Sequence, residues 1–337
     1  MINIAPSAKI YVLCPAEIAT GGPEALHQLT YHLRKQGFDA YMYYVPNDVS
    51  NPVHPQYEIY QAPYTTQLEN DEKNVIVLPE TFLPPLYQKE FSKMRKVIWW
   101  LSVPYYFECL EPWKERIRKK KFYGLKSFLS PSKYPPLPTL ERISKMQLYN
   151  IRHSFFSETF LKENHIRVTG KISDYMNQSF FNKVKANIIR EDIVLYNPKK
   201  NGEFLKQIMD ASPDINWVPV ENLSPDGVAE LMNRSKVYVD FGFHPGKERM
   251  PREACIMKCC MVIGKDGSAK YAEDMPIPEM YRFEKDENKI PEIINRIRIC
   301  LSNYSEQIKS FEGYQQELAE EEATFKSDIA ALFLKTQ

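Results

Sequence analysis

The sequence has little of what marks several common classes of protein. Its formal net charge is only +1, so no overall field of one sign points to nucleic acid as a partner. No apolar run approaches the ~20 residues of a membrane helix, and the first residues hold no apolar core long enough for a signal peptide. We therefore expect a globular, cytoplasmic protein, with 43% hydrophobic residues to fill its core.

Metal-binding patterns are also missing. The six cysteines form neither a disulfide framework nor a zinc framework. Cys255, Cys259 and Cys260 are close in sequence, but no histidine or second cysteine pair completes a site, so we expect them to pack in the core. The chain contains no Asp-x-Asp sequence. We expect a reducing compartment and no obligatory metal.

Glycine is scarce, with 12 among 337 residues, and its placement is informative. The length allows two domains of ordinary size. The glycines that we interpret as functional fall in predicted loops: Gly21, Gly22, Gly202, Gly242, Gly246, Gly264 and Gly267.

Residues 236–275 predict a strand, a loop, a helix and a second strand. Residues 236–241 have the apolar, β-branched and aromatic bias of a buried strand. A basic, glycine-containing loop follows, Pro251 stands where a helix can begin, and residues 261–263 are typical of the next strand. Such a βαβ unit places its loop at the carboxyl edge of the sheet, where open α/β sheets bind ligands.

The chemistry of this loop suits a nucleotide sugar. The amino end of a helix offers free N–H groups and partial positive charge to phosphate, and Lys247 and Arg249 add fixed charge. The carboxylate of Glu253 can accept hydrogen bonds from neighbouring hydroxyls. The predicted site also includes His244, Gly246 and Ser268. A solvated basic turn and an ordinary first-turn glutamate are the alternatives.

The first half of the chain offers further candidates at strand ends. Residues 9–13 predict a strand, followed by Gly21-Gly22 and a helix that carries His27. Residues 75–78 predict another strand, with Pro79, Glu80 and Thr81 at its carboxyl end. The strand at 97–101 ends in a Trp/Tyr group that could form a sugar platform, although Trp99 and Trp100 point to opposite sides, so at least one belongs to the core.

A second α/β set begins near residue 193. Residues 193–196 predict its first strand, and the loop after that strand carries Asn197, Lys199 and Lys200. A lysine in this position can contact phosphate or remain solvated.

These segments resemble the GT-B glycosyltransferases. The sequence Pro251-Arg-Glu253-Ala254, with the strand at 261–263, resembles their donor-binding motif, and residues 21–45 are similar to their amino-terminal signature. The resemblance implies an α/β fold with two Rossmann-like, doubly wound domains facing a central cleft. It implies an acceptor-binding domain at 1–180, a nucleotide-sugar-binding domain at 181–312, and a helix at 313–337 that packs back on the first domain.

The resemblance also implies roles for individual residues. The general base would be Glu80 or, as a weaker candidate, His27. Pro245 stands where retaining members usually carry a glutamate, which favours inversion. The implied donor-binding residues are Gly21, Gly22, Asn197, Lys199, Lys200, His244, Gly246, Lys247, Arg249, Glu253 and Ser268.

The predicted function is transfer of a sugar from a nucleoside-diphosphate sugar to a glycan or lipid-linked glycan acceptor, as in polysaccharide biosynthesis, with no cofactor. A nucleotide-sugar 2-epimerase and a catalytically degenerate subunit of a polysaccharide-assembly complex are the alternatives. Residues 114–126 hold seven basic residues and one acidic residue. Such a run predicts either a solvated face or contact with an anionic membrane, here the inner face of the cell membrane.

Overall fold

The computed structural model describes residues 1–186 and 188–336. The chain divides into two compact units. Unit 1 is Met1–Asp174 together with the segment from Ala323 onward, and unit 2 is Tyr175–Glu322. Each unit is built around a parallel sheet, so the predicted α/β class is confirmed.

Unit 1 alternates strands and helices along its first segment. Its strands there are β1 (Ile2–Ile4), β2 (Lys9–Pro15), β3 (Asp39–Val45), β4 (Val75–Pro79), β5 (Arg95–Trp100), β6 (Tyr149–Arg152) and β7 (Val168–Lys171). Its α-helices there are α1 (Gly21–Lys35), α2 (Val103–Arg118), α3 (Tyr123–Leu129), α4 (Leu140–Lys145) and α5 (Phe155–Glu163).

Unit 2 repeats the alternation. Its strands are β8 (Glu191–Tyr196), β9 (Asn216–Pro219), β10 (Ser235–Asp240), β11 (Cys260–Gly264) and β12 (Arg282–Phe283). Its α-helices are α6 (Gln178–Phe181), α7 (Gly202–Asp210), α8 (Pro225–Arg234), α9 (Arg249–Ile256), α10 (Ile290–Ser302) and α11 (Tyr304–Gln307). The long helix α12 (Glu312–Leu332) contains the boundary between the units, and β13 (Phe333–Lys335) pairs with β1 in unit 1.

Both sheets are doubly wound. The six-stranded sheet of unit 1 has the order β3-β2-β4-β5-β6-β7, and the five-stranded sheet of unit 2 has the order β12-β11-β10-β8-β9. In each sheet the first long strand, β2 or β8, receives its successor on one side and the following strand on its other side. The chain therefore reverses its direction of winding beside β2 and again beside β8, which creates a topological switch point in each unit.

The central strands are apolar because helices cover both faces of each sheet. All residues of β4 and β11 are buried, and Cys255, Cys259 and Cys260 lie in the core of unit 2, as predicted. Trp99 and Trp100 are both fully buried. The idea of a sugar platform there was wrong for both indoles, since each fills the core on its own face of β5.

Three local predictions need correction. The apolar and aromatic residues of 149–156 predict a strand through Phe156, but β6 ends at Arg152, because Ser154 and Ser157 form a capping box that starts α5. Helix α9 begins at Arg249, two residues before Pro251; a proline is tolerated there because the first-turn amides have no partner within the helix. The last helix ends at Leu332, and Phe333 belongs to β13.

Candidate functional site

The switch point of unit 2 lies between β8 and β10. These parallel strands are neighbours, so the loops that follow them, residues 197–201 and 241–248, leave the sheet side by side. The backbone N–H of Phe241 donates to the Asn201 amide oxygen at 2.5 Å, and Lys200 forms an ion pair with Glu248. The structure thus joins two loops that the sequence predicted separately.

The turn after β11 closes over the same loop. Ser268 donates from its backbone N–H to the His244 carbonyl at 2.8 Å and from its hydroxyl to the Gly246 carbonyl at 2.6 Å. Gly267 has a φ of +57°, and a Cβ placed on it would lie 2.1 Å from the His244 carbonyl oxygen. Only glycine fits this position without a backbone shift.

His244 is a fully buried residue at the centre of these contacts. Neither of its ring nitrogens has a hydrogen-bond partner among the described residues, and Nε2 lies 3.5 Å from an Asp240 carboxylate oxygen. Burial alone would raise the pKa of Asp240, but the His244 ring, the Gly242 amide and the Tyr238 hydroxyl outweigh it and hold that pKa below its usual range. Unpartnered buried polar atoms are uncommon and call for an explanation.

Most basic side chains of this site are already paired with carboxylates. Lys247 contacts Glu321 at 2.6 Å, and the buried guanidinium of Arg252 contacts the other oxygen of Glu321 at 3.2 Å. Arg249 contacts Glu253 at 2.6 Å. A diphosphate at this site would therefore meet cations that are held in place, with much of their charge already neutralised.

Lys199 differs from these cations. It is exposed, and it has no carboxylate partner within residues 1–186 and 188–336. Its backbone N–H donates to the side chain of Asn197 at 3.0 Å, so the start of the loop is fixed while the ammonium group is not. Of the predicted phosphate contacts, Lys199 has the least competition from the protein itself.

Helix α9 supplies the amino terminus at this edge. Its cap residue, Glu248, makes no side-chain hydrogen bond to the helix, so its first-turn amides are not capped by that side chain. Glu253 lies one turn further and is largely buried. The carboxylate predicted to bind sugar or ribose hydroxyls is thus held by Arg249 in this structure.

The switch point of unit 1 lies between β2 and β4. Gly21 and Gly22 are the first two residues of α1, in the connection that follows β2. A Cβ on Gly21 would meet nothing within 4 Å, and one on Gly22 would meet only the Leu101 side chain at 3.8 Å. The fold itself therefore leaves room for a side chain at both positions.

Glu80 follows β4 at the same edge and is almost fully buried. Its two carboxylate oxygens accept hydrogen bonds from the backbone N–H groups of Leu101 and Ser102, at 2.8 and 2.9 Å. Burial raises the pKa of Glu80 to about 7, although these amide donors act in the opposite direction. A carboxyl group with a pKa near neutrality is suited to proton transfer.

His27 is enclosed within unit 1. Its Nδ1 lies 2.7 Å from the Pro23 carbonyl and its Nε2 lies 2.7 Å from the Tyr44 hydroxyl. Since a carbonyl can only accept, Nδ1–H donates and Nε2 accepts from Tyr44. Burial lowers the pKa of His27 to about 4, so the ring is neutral. Any proton transfer by His27 would have to break one of these bonds.

Two further polar groups at the carboxyl edge of unit 1 were not among the predicted residues. Ser102, two residues after the end of β5, has a buried hydroxyl without a hydrogen-bond partner in the described part of the chain. His153, directly after β6, places Nε2 2.8 Å from Asp174, while its buried Nδ1 has no partner there. The available signal was positional, because polar residues that follow parallel strands gather at one edge.

Two kinds of feature are absent from the described residues. Residues 1–186 and 188–336 contain no group of three or more His, Cys, Asp or Glu side chains arranged to hold a metal ion. No helix in those same stretches is long and apolar enough to cross a membrane. The expectation that no metal is required stays a prediction.

Comparison with known proteins decides the fold. No protein-family model matches the sequence, and no curated protein sequence is similar to it. Solved structures do match. The HepE protein of Anabaena, solved in complex with UDP-glucose, has 11% identity and a TM-score of 0.60, with 96% of this chain and 98% of that chain covered. The chain has the GT-B fold.

Two further GT-B structures have similar scores. A glycosyltransferase from Rickettsia africae has 12% identity and a TM-score of 0.56, with 96% and 99% of the two chains covered. The catalytic domain of starch synthase IV from Arabidopsis thaliana, bound to ADP and acarbose, has 9% identity and a TM-score of 0.53, with 95% and 99% covered. These structural matches establish the GT-B fold. At identities this low they establish nothing about the roles of single residues, which must be argued from the site itself.

Proposed function

We propose that this protein is a glycosyltransferase that moves a sugar from a nucleoside-diphosphate sugar to a glycan or lipid-linked glycan acceptor. The observation that carries the proposal is the edge of unit 2, where the loops after β8, β10 and β11 and the start of α9 meet at a switch point. Structures of the same fold were solved with UDP-glucose and with ADP, which supports a nucleotide ligand at this edge.

The proposed donor site divides into two parts. Lys199 and the first-turn amides of α9 bind the diphosphate, with Lys247 and Arg249 contributing as their carboxylate partners allow. Glu253 binds hydroxyls of the ribose or of the sugar. In the reaction, an acceptor hydroxyl oxygen forms a bond to the anomeric carbon while the bond from that carbon to the diphosphate oxygen breaks. The nucleoside diphosphate leaves with the electron pair, and cations stabilise its charge.

The acceptor proton needs a base, and Glu80 is our candidate. Its buried carboxyl lies at the switch point of unit 1 and has a pKa of about 7, so near neutral pH a large fraction is ionised and able to accept a proton. His27 is the second candidate, and its two ring nitrogens are both engaged. We propose inversion at the anomeric carbon, because Pro245 stands where retaining relatives carry a glutamate.

Contact with an anionic membrane is a further part of the proposal. The segment from residue 114 to 129 forms the end of α2 and all of α3. It exposes large apolar side chains beside its lysines: Phe122 at 74%, Leu125 at 60%, Phe128 at 83% and Leu129 at 69%. Apolar groups within a basic surface suit the interface of an anionic bilayer.

The test begins with a thermal-shift screen of nucleotide sugars, because a ligand that binds the folded state raises the melting temperature. The best donor is then incubated with and without candidate acceptors, and the products are identified by NMR. We expect transfer only with an acceptor, and an inverted anomer. A changed sugar without acceptor would indicate the epimerase, which no observation favours. Donor binding without transfer or hydrolysis would indicate a degenerate subunit.

A further inference from the structure

A cavity of about 490 Å³ in unit 1 lies along one face of α2. The helix contributes Cys109, Trp113 and Arg116 to its lining, and Lys120 follows just beyond the end of the helix. Spacings of four and three residues place Cys109, Trp113 and Arg116 on one face of the helix, and Lys120 lies four residues after Arg116, beyond the helix end. Glu80, the proposed base, also lines this space, which we call the α2 cavity.

Some basic residues of this segment pair with glutamates of α2, and others do not. Lys114 pairs with Glu111 at 2.5 Å, and Arg118 and Lys119 pair with Glu115 at 3.2 and 3.3 Å. Two cations of this segment line the α2 cavity, Arg116 and Lys120, and neither has a carboxylate partner among the residues that the structure describes. Lys114, Arg118 and Lys119, which lie outside the cavity, are thus paired with glutamates of their own helix.

The rest of the lining preserves this positive character. Lys133 also lines the cavity, with its ammonium group 5.9 Å from the ring centre of Tyr134. Glu80 is the only carboxylate among the described lining residues, and its two oxygens already accept backbone hydrogen bonds. The cavity therefore holds three cations that no neighbouring side chain neutralises, a fitting environment for an anionic group.

We propose that the α2 cavity binds the phosphate or diphosphate group of a lipid-linked acceptor through Arg116, Lys120 and Lys133. This inference rests on the proposed function, because it names the class of acceptor. Glu80 and Cys109 both line the cavity, and the charge of Glu80 adds to burial in raising the pKa of the Cys109 thiol. Cys109 and Arg116 are separated by about 10 Å along the helix axis. In an acceptor whose hydroxyl reaches Glu80, the phosphate would thus be separated from that hydroxyl by about one sugar unit.

The lipid part of such an acceptor has a surface beside the cavity. Tyr123, at the start of α3, lines the cavity and donates to the Pro135 carbonyl at 2.9 Å. The next residues of the same short helix expose Leu125, Phe128 and Leu129. An anion-binding cavity that continues into an exposed apolar surface matches a molecule with a phosphate head and a hydrocarbon chain.

Cys109 provides a local test, since it lines the cavity and is the exposed cysteine, while Cys14, Cys255, Cys259, Cys260 and Cys300 are buried. The rate of Cys109 alkylation by N-ethylmaleimide is measured at alkaline pH in the full chain. The probes are farnesyl diphosphate, inorganic diphosphate, the uncharged alcohol farnesol, and phosphatidylglycerol vesicles. We expect farnesyl diphosphate to protect the thiol best, inorganic diphosphate to protect it partly, and farnesol to protect it little.

Two double variants at the end of α2 distinguish binding in the cavity from a general effect of positive charge. R116Q/K120Q removes two of the three cations that line the cavity, and the matched control R118Q/K119Q removes two cations that pair with Glu115 outside it. Losing charge-assisted contacts should weaken protection by farnesyl diphosphate at least about tenfold in R116Q/K120Q and should leave it nearly unchanged in R118Q/K119Q. Equal effects of the two variants, or equal protection by farnesol, would overturn the proposal.

The remaining outcomes separate this inference from the proposed function. Protection by phosphatidylglycerol vesicles that equals protection by farnesyl diphosphate would reject an acceptor site, because it would show a phospholipid site instead. Absence of nucleotide-sugar binding with intact, charge-dependent protection would sink the proposed donor chemistry and leave the anion site standing. Normal donor binding with no protection by either diphosphate would overturn the acceptor site alone. In transfer assays, R116Q/K120Q should raise the acceptor KM and leave the donor KM unchanged.

Discussion

Basic side chains line candidate sites in both units, but they differ in what neutralises them. At the edge of unit 2, Lys247 and Arg249 each contact a carboxylate. At the end of α2 in unit 1, Arg116 and, just beyond the helix, Lys120 line a cavity and have no carboxylate partner in the described part of the chain. The comparison teaches that a basic stretch of sequence gives the number of charges, while the fold determines which of them remain available to a ligand.

The largest expected difference is in stability, between the buried ion pairs of unit 2 and the exposed ion pairs of unit 1. Glu321 is largely buried and joins Lys247 to Arg252, whereas Glu115 pairs with two exposed cations. We expect Glu321→Ala to lower the free energy of unfolding by about 3–5 kcal/mol, because it leaves buried positive charge uncompensated. Glu115→Ala should cost less than about 1 kcal/mol. Urea denaturation of both variants measures the difference, and similar losses would remove the distinction.

Glu80, the buried carboxylate of unit 1, should affect turnover. Glu80 has no cationic partner among the described residues, and its pKa is raised to about 7. Removal of a general base typically lowers the rate ~10²–10⁴-fold, so we expect Glu80→Gln to lose turnover while it retains nucleotide binding.

The pH profile distinguishes the two candidate bases. A base must be deprotonated to act, so wild-type turnover should rise with pH through about 7 if Glu80 is the base, and through about 4 if His27 is the base. The effect on stability has the opposite sign. Because the pKa of Glu80 is raised from 4.5 to about 7 on folding, its contribution is fully present below 4.5 and is lost as pH rises through about 7. Glu80→Gln should remove this loss from pH-dependent melting curves; an unchanged rate limb near 7 in the variant would reject Glu80.

Glu253 and Arg249 form a pair whose members should have separable roles. Glu253→Gln keeps the size of the side chain and should weaken nucleoside binding by about 1.5–3 kcal/mol, the range for hydrogen bonds to charged groups. Arg249→Gln leaves the carboxylate in place, so it should weaken the diphosphate form and spare the nucleoside. Calorimetry with both ligands provides the readout. Unchanged affinity in Glu253→Gln would show that this glutamate pairs with Arg249 and does not bind the nucleoside.

The smallest expected difference is in stability, between alanine variants of two glycines. Gly267 has a positive φ and lies against the His244 carbonyl, whereas Gly21 has open space where its Cβ would be. Gly267→Ala should lower stability by more than about 1 kcal/mol, and Gly21→Ala should change it by less than that. If Gly21→Ala nevertheless reduces activity, the glycine serves a ligand. Equal melting temperatures for the two variants would contradict the geometry.

Sequence patterns predicted most of the fold, because long apolar runs and helix signals are local. The strands around Val12, Val77 and Val239 were placed correctly for this reason. The short strands β1 and β13 escaped, since three residues carry no periodic signal and their pairing joins the two ends of the chain. The capping of α5 by Ser154 was also overlooked, although both serines of the capping box are visible in the sequence.

The site was less accessible to sequence reasoning, because its chemistry depends on distant partners. That Lys247 is held by Glu321, 74 residues away, cannot be read from either segment. The exposed ammonium of Lys199 is informative only once Lys200 is seen to pair with Glu248. Glu80 was chosen for its position after a strand, and only the fold shows that backbone amides hold both its oxygens.

The central claim is that the edge of unit 2 binds a nucleoside diphosphate, and Lys199 tests it most directly. Calorimetry compares the best nucleoside diphosphate with its nucleoside in the wild type, in Lys199→Ala, and in the control Lys206→Ala, which removes an exposed lysine from α7. We predict that Lys199→Ala weakens the diphosphate about tenfold and spares the nucleoside, since one charge-assisted contact is worth that much, and that Lys206→Ala changes neither. Wild-type affinity for the diphosphate in Lys199→Ala, or an equal loss for both ligands, would contradict the account.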